Sequence, residues 1–143
     1  MSYTAIYIHV VFAVKRRSPI LATAERQVLF QHIREQANLH KIDLLRINGF
    51  EDHVHLLLHL HAAQRLSAVV QQIKGESAWW ANQTSLFDTT LNWASGYYAR
   101  SVDPDNIELV IRYIACQHSK HSDKFANVYH YLSLIQTGKN DSF

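Results

Sequence analysis

Two histidines two residues apart, His53 and His55, interrupt an apolar run that continues through Leu56, Leu57 and Leu58. The run has the length and branching of a buried strand. Side chains on a strand alternate, so His53 and His55 share one face while Val54, Leu56 and Leu58 share the other. One face must therefore meet a core, and the other presents two imidazoles side by side. Two neutral imidazoles can grip one metal ion if a third ligand closes the geometry. Sixty residues later, Tyr113-Ile114-Ala115-Cys116-Gln117 places a tyrosine and an amide four apart. On a helix these lie one above the other. A histidine pair, a nucleophile and a third ligand together point to cleavage of a phosphodiester.

The rest of the chain supplies the elements around that strand. Tyr3 to Val14 alternates and is rich in β-branched and aromatic residues, which predicts a long strand, ended by the basic turn Lys15-Arg16-Arg17-Ser18-Pro19. Thr23 is a candidate cap for a helix to His40, with Val28, Leu29, Ile33 and Ala37 as its apolar stripe. Ile42 to Phe50 and Asp52 to His61 predict a hairpin. Leu66 to Gln83 predicts a second helix with Leu66, Val69, Val70 and Ile73 inward. Gly75 inside it costs about 1 kcal/mol against alanine, which predicts close packing or close approach of a ligand. Trp93 to Val102 reads as a strand or short hairpin. Asp103-Pro104 then opens a third helix, with aspartate as cap and proline in the first turn. The tail from His121 shows weak periodicity, and the residues from Gly138 read as frayed. The order strand-helix-strand-strand-helix-strand, then helix, is that of an α+β, ferredoxin-like antiparallel sheet. Its two helices cover one face, which leaves the histidine face open for a site, and the added C-terminal helix carries the tyrosine.

At 143 residues, with 48% hydrophobic and 18% charged content, the chain predicts one globular domain with a real core. A net charge of +2 permits a nucleic-acid partner without demanding one. A single cysteine, Cys116, rules out an internal disulfide, and its simplest role is a small residue at a helix edge. No leader-like segment and no run approaching the ~20 apolar residues of a membrane span is evident, which predicts a cytoplasmic protein.

Ile107, Val110, Ile111 and Ile114 form a narrow apolar stripe on the third helix, and Asn106, Tyr113, Gln117 and Lys120 fall together in a strip beside it. A free phenol has a pKa near 10, so roughly one part in a thousand is phenolate at neutral pH, and attack on phosphate needs help on the order of 4 kcal/mol. A divalent ion can supply that help by polarising the phosphate oxygen. Gln117 can ligate the same ion, and the mixed nitrogen and oxygen set suits Mn²⁺ as well as Mg²⁺. His59 and His61 continue the alternation and read as structural or DNA-facing. Tyr97 and Tyr98, beside Trp93, read as core or base-stacking residues. Lys15, Arg16 and Arg17 form the one compact basic cluster, while Lys74, Arg100, Arg112 and Lys120 are scattered. Of these, Lys15, Arg16, Arg17, Lys74, Arg100 and Lys120 are the candidate DNA contacts.

With those residues in place, the chain resembles the small HUH-type single-tyrosine transposases of bacterial single-strand insertion sequences. His53-Val54-His55-Leu56-Leu57 resembles their His-hydrophobe-His strand, and Ile73-Lys74-Gly75-Glu76-Ser77 their Lys-Gly-x-Ser helix. Trp93, Gly96-Tyr97-Tyr98 and Ser101-Val102 resemble the strand before the catalytic helix, and Tyr113 through Gln117 the Tyr-x-x-x-Gln motif. Order and spacing agree from Tyr3 to about His121. The resemblance implies one HUH domain over the whole chain that binds hairpins at transposon ends as single-stranded DNA. It implies Tyr113 as nucleophile, a 5′-phosphotyrosine link with a free 3′-OH, and His53, His55 and Gln117 as ligands of Mg²⁺ or Mn²⁺. It also implies a homodimer, with the tyrosine helix acting in cis or in trans. Relatives tied to short genomic palindromes share the motifs, so a role on chromosomal hairpins is also compatible; the alternative is a catalytically idle, domesticated hairpin-binding protein, against which the intact Tyr113, Gln117, His53 and His55 argue. The chain departs from the family at Glu51-Asp52, where many relatives carry proline-aspartate; the glutamate is expected to alter the turn only.

Overall fold

The computed structural model describes residues 1–116 and 125–136. Four strands, β1 (Tyr7–Ala13), β2 (Asp43–Gly49), β3 (His53–His59) and β4 (Tyr98–Val102), form one antiparallel sheet in the order β2-β3-β1-β4. Helix α1 (Thr23–Leu39) links β1 to β2, and α2 (Leu66–Gln83) links β3 to β4. This is the ferredoxin-like α+β arrangement that the order of apolar patterns predicts.

The central position of β1 and β3 follows from their sequences. β1 is interrupted only by His9 and β3 carries the apolar run Leu56 to Leu58, and both are buried over almost their whole length because each has a neighbour on either side. Ile8, Val10 and Phe12 of β1 join Val54, Leu56 and Leu58 of β3 in one core with Leu29, Phe30 and Ile33 of α1 and Val69, Val70 and Ile73 of α2. Val28, expected in the α1 stripe, is instead exposed, and Phe30 takes its place in the core. The α1 N-cap is Ala22, with no side-chain cap bond, so Thr23 is the first helical residue and not the cap. The first strand begins at Tyr7 and not Tyr3, and β4 occupies only the second half of the Trp93 to Val102 run. Trp93 itself makes an isolated bridge to Val14.

The opposite face of the sheet is not open, as the sequence alone led us to expect. Helix α3 (Ile107–Ala115) and helix α4 (Ala126–Gln136) cover it. Val110 and Ile114 of α3 pack on Leu57 and Val102, while Val128, Leu132 and Ile135 of α4 pack on Val11, Ala13 and Ala94. The tail from His121, read as only weakly periodic, thus contains a helix. Its inward residues are spaced by four and three, but they stand among histidine, tyrosine and asparagine, which flatten the contrast between faces. The predicted frayed end from Gly138 lies outside the described residues.

Gly75 has an exposed position, and nothing lies within 4 Å of where a Cβ would stand. Close packing inside the chain is therefore not its reason. Gly75→Ala is expected to raise stability by up to about 1 kcal/mol in urea unfolding. In the same measurement Leu56→Ala in the first core and Leu132→Ala in α4 should each cost about 2–5 kcal/mol. Val28→Ser should change stability by less than about 0.5 kcal/mol. A neutral Leu132→Ala would mean that α4 does not seal this face.

Candidate active site

His53 and His55 project from β3 into the layer beneath α3 and α4, where both are buried. Each ring has one nitrogen engaged. His53 Nδ1 lies 2.6 Å from Asp52 Oδ1, and Arg17 holds the other oxygen of that carboxylate through Nε and a terminal nitrogen, both at 3.1 Å. A carboxylate only accepts, so His53 gives its Nδ1 proton to Asp52, and as a neutral ring it would keep its lone pair on Nε2. His55 Nδ1 lies 3.0 Å from Nε2 of His9, and the two rings stack. His9 comes from β1, where Val11 is the direct partner of His55, so the two histidines are diagonal neighbours across the ladder.

The remaining nitrogens, Nε2 of His53 and Nε2 of His55, are buried with no hydrogen-bond partner. Buried polar atoms are almost always satisfied, so two orphans on adjacent rings, centroids 4.9 Å apart, need a common explanation. A metal ion provides one. It takes imidazole lone pairs, and ligating histidines usually give their other N–H to a carboxylate or another acceptor that fixes the ring. The electrostatics agree. Burial, with the neighbouring charge of Arg100, lowers His9 to about 4. Burial, reinforced by His53 and His9, holds His55 well below the usual imidazole value. Burial would raise the Asp52 carboxyl, but the bond to His53 and the charges of His53 and Arg17 outweigh it, and the net shift is downward. His9 and His55 are therefore neutral near neutral pH, the state a ligand set requires. The residues present fit a divalent ion. Gln117, the expected third ligand, lies outside the described residues.

The tyrosine helix is set over this pair from both ends. The Asp103 side chain accepts from the Asp105 amide at 2.9 Å and starts a 3₁₀ turn, Pro104–Asn106, that runs directly into α3. At the other end Asn48 of β2 donates to the Ile114 carbonyl at 2.9 Å, one of the orphan acceptors of the last turn. Between these anchors, the Tyr113 ring stands edge-on to His55 and His9, with centroids 5.5 and 5.8 Å away. Phe125 stacks on its face at 3.6 Å, and its hydroxyl donates to that of Tyr129 of α4 at 2.6 Å. Cys116, at the end of the helix, is exposed. Beside the histidines a cleft of about 300 Å³ opens between β4 and α3, with His9, Tyr98, Arg100, Asn106 and Phe125 on its walls.

The Lys-Gly-x-Ser segment turns out to tie elements together. Lys74 donates to the carbonyls of Ala94 and Gly96 at 2.8 and 2.7 Å, and Ser77 accepts from the Trp93 indole at 3.1 Å. These bonds hold the approach to β4 against α2, and Gly96 turns there with φ 75°. Of the candidate DNA contacts, Lys74 and Arg17 thus have structural partners. Lys15, Arg16 and Arg100 are exposed, and Lys120 lies outside the described residues. Tyr97 packs on the main core and Tyr98 on the α4 side. Sequence reasoning missed His9, Asn48, Phe125 and Tyr129. The alternation of β1 does put His9 on the face of Tyr7, Val11 and Ala13, but only the strand register brings it to His55.

Histidines buried neutral bind protons more readily in the unfolded chain, whose imidazoles titrate near 6.5. Stability of chelator-treated protein should therefore be full above that pH and fall as pH drops from about 6.5 to 4, by up to about 1.4 kcal/mol per pH unit for each such histidine. Urea unfolding at several pH values checks this. His9→Gln should flatten the slope, and a stability independent of pH across that window would contradict the assignment. The depressed Asp52 carboxyl acts lower, its contribution being lost only as pH falls below about 4.

A family profile described as "Transposase IS200 like" matches residues 2–117. A search of curated proteins gives no match. Among solved structures, the chain is similar to a protein described as a transposase from Deinococcus radiodurans R1. The TM-score is 0.63 at 23% identity, over 84% of this chain and 97% of that one. It is also similar to a REP-associated tyrosine transposase solved bound to a REP hairpin. There the TM-score is 0.56 at 16% identity, over 91% of this chain and 74% of that one. At these identities the two structures establish a shared fold. Among the described residues no helix is long and apolar enough to cross a membrane. The profile spans most of the chain, from the first strand through the helix that bears Tyr113, and the chain belongs to the family of IS200-like transposases.

Proposed function

We propose that this transposase cuts and rejoins single-stranded DNA at hairpin-bearing ends through a covalent link to Tyr113, with His53, His55 and Gln117 holding a divalent ion. The observation that carries the reading is the Tyr113 ring standing 5.5 Å from that of His55, whose outward nitrogen is buried and unpaired. A bound Mg²⁺ or Mn²⁺ supplies polarisation of the scissile phosphate. The chain's own groups do the rest. Asp52 and His9 fix the two imidazoles, and Phe125 and Asn48 fix the phenol and its helix. The Tyr113 hydroxyl, which donates to Tyr129 in the free protein, must turn to the phosphate and lose its proton. Its oxygen then bonds to phosphorus as the bond from phosphorus to the 3′ oxygen breaks. The 5′ phosphate stays on the tyrosine, and the 3′ oxygen leaves as a hydroxyl after taking up a proton. Attack by a 3′-OH on such a link reverses the step and joins strands without ATP.

The bound hairpin of the REP-associated relative supports the same class of substrate here. Arg100, on the wall of the cleft, and Lys15 and Arg16, past the end of β1, are the phosphate contacts this reading assigns. The proximity within one chain favours a tyrosine that serves its own histidines.

Incubation with a hairpin-bearing single strand and Mn²⁺, followed by a denaturing gel, is expected to show a covalent adduct. Tyr113→Phe should abolish it, and His55→Ala should abolish it while leaving most hairpin binding in a gel shift. Binding without an adduct would favour an idle hairpin-binding protein. Mixing Tyr113→Phe with His55→Ala should give no adduct if the site is completed within one chain, and recovery of activity would mean that a partner supplies the tyrosine.

A further inference from the structure

At the far end of β3 from the histidine pair, a second group of ligand-type side chains converges. Asp43 begins β2, His59 ends β3 directly opposite it in the ladder, and His61 follows two residues on. One ligand atom from each lies within 4.8 Å of the others. His59 Nδ1 is 3.0 Å from Asp43 Oδ2, and His61 Nε2 is 3.6 Å from the same oxygen. Ligands about 2.0–2.2 Å from a tetrahedral zinc ion stand roughly 3.3–3.6 Å from one another, and the two observed separations bracket that spacing.

The hydrogen bonding of His59 makes the group more than a surface cluster. Its other nitrogen, Nε2, lies 3.2 Å from the Thr4 carbonyl oxygen. Both ring nitrogens therefore face oxygens that only accept, and a neutral imidazole has one N–H to give. If Nε2 donates to Thr4, the Nδ1 lone pair and the carboxylate oxygen face each other, and a cation between them resolves the conflict. A ligating imidazole with its second nitrogen donating to a backbone carbonyl is the usual second-sphere arrangement of metal sites. Tyr7 stacks on the His59 ring with centroids 4.9 Å apart and holds its orientation. His55, the nearer of the paired histidines, lies four residues back along the strand, a distance of about 13 Å, so the two groups cannot share an ion.

We propose that Asp43, His59 and His61 form a second metal site that takes a borderline transition-metal cation, with Zn²⁺ as the best fit. Two imidazoles and one carboxylate form a set that zinc favours and that Mg²⁺, which prefers oxygen and keeps its waters, does not. The ion joins the start of the edge strand β2 to the end of β3, and through His59 to the segment at Thr4. Its role is to lock the sheet end remote from the chemistry.

The test is Zn²⁺ titration of chelator-stripped full-length protein by calorimetry, with the ring signals of His59 and His61 followed by NMR. In the wild type both ring signals should shift, and the melting temperature should rise with zinc. Asp43→Asn combined with His61→Ala, both at solvent-accessible positions, should remove one equivalent of bound zinc. His61→Ala alone should weaken that equivalent by at least about tenfold. His53→Ala with His55→Ala should leave it in place. If the wild type binds one equivalent that Asp43→Asn with His61→Ala removes, this site stands and the zinc affinity of the paired histidines is what fails. Zinc uptake unchanged by the Asp43 and His61 substitutions would overturn the proposal. Unmoved His59 and His61 signals under saturating zinc, with His59 doubly protonated, would also overturn it, because a plain imidazolium–carboxylate pair would then account for the geometry.

Discussion

The imidazole of His55 is wholly buried, and the structure around it follows from what that burial demands. A neutral imidazole has one donor and one acceptor, and neither can be abandoned in a low-dielectric layer without a cost of about 1–3 kcal/mol. Its Nδ1 meets His9, while the neighbouring Nδ1 of His53 meets Asp52, itself held by Arg17. These contacts fix both rings and leave both Nε2 atoms without a protein partner. The pair is held in one arrangement by the protein's own groups, and the residues that hold it are distributed over β1, β3 and the basic turn that follows β1.

Burial of that pair depends in turn on the second pair of helices. Were the sheet covered on one face only, His55 would be hydrated, its pKa would return toward that of a free imidazole, and protons would compete with a metal for its lone pair. Helices α3 and α4 prevent this by packing on Leu57, Val102, Val11 and Ala13. The same packing places the Tyr113 ring beside the histidines. It also supplies the Phe125 face and the Tyr129 hydroxyl that hold the phenol in the free protein. Exclusion of water from the histidines and placement of the Tyr113 ring beside them are consequences of one apolar contact layer.

A motif's resemblance to a family signature and its physical role need not coincide. Lys74 and Ser77 stand in a segment that resembles a family signature, and a lysine invites a reading as a phosphate contact. Here its ammonium is enclosed by two backbone carbonyls, and burial lowers its pKa. The effect is to fasten the chain between α2 and β4, and so to set where Tyr98 and Arg100 enter the cleft wall. Arg17 likewise left the basic cluster to support Asp52. Charge read along a sequence overstates what is available to a polyanion, because it cannot see which cations already have partners.

Period-two and helical patterns in the sequence alone determined the order of elements, the ferredoxin-like sheet and the shared face of His53 and His55. They also determined the seam that sets Tyr113 beside the buried edge of its helix. These are local consequences of side-chain direction, and local geometry suffices to read them. The tertiary structure decided what required distant residues to meet. The register of β1 against β3 brought His9 to His55, and Asn48 of β2 reached the end of α3. The polar, aromatic-rich helix α4 found its partner only on the assembled sheet. No periodicity encodes such pairings, because each is fixed by packing across the sheet and not by spacing along the chain.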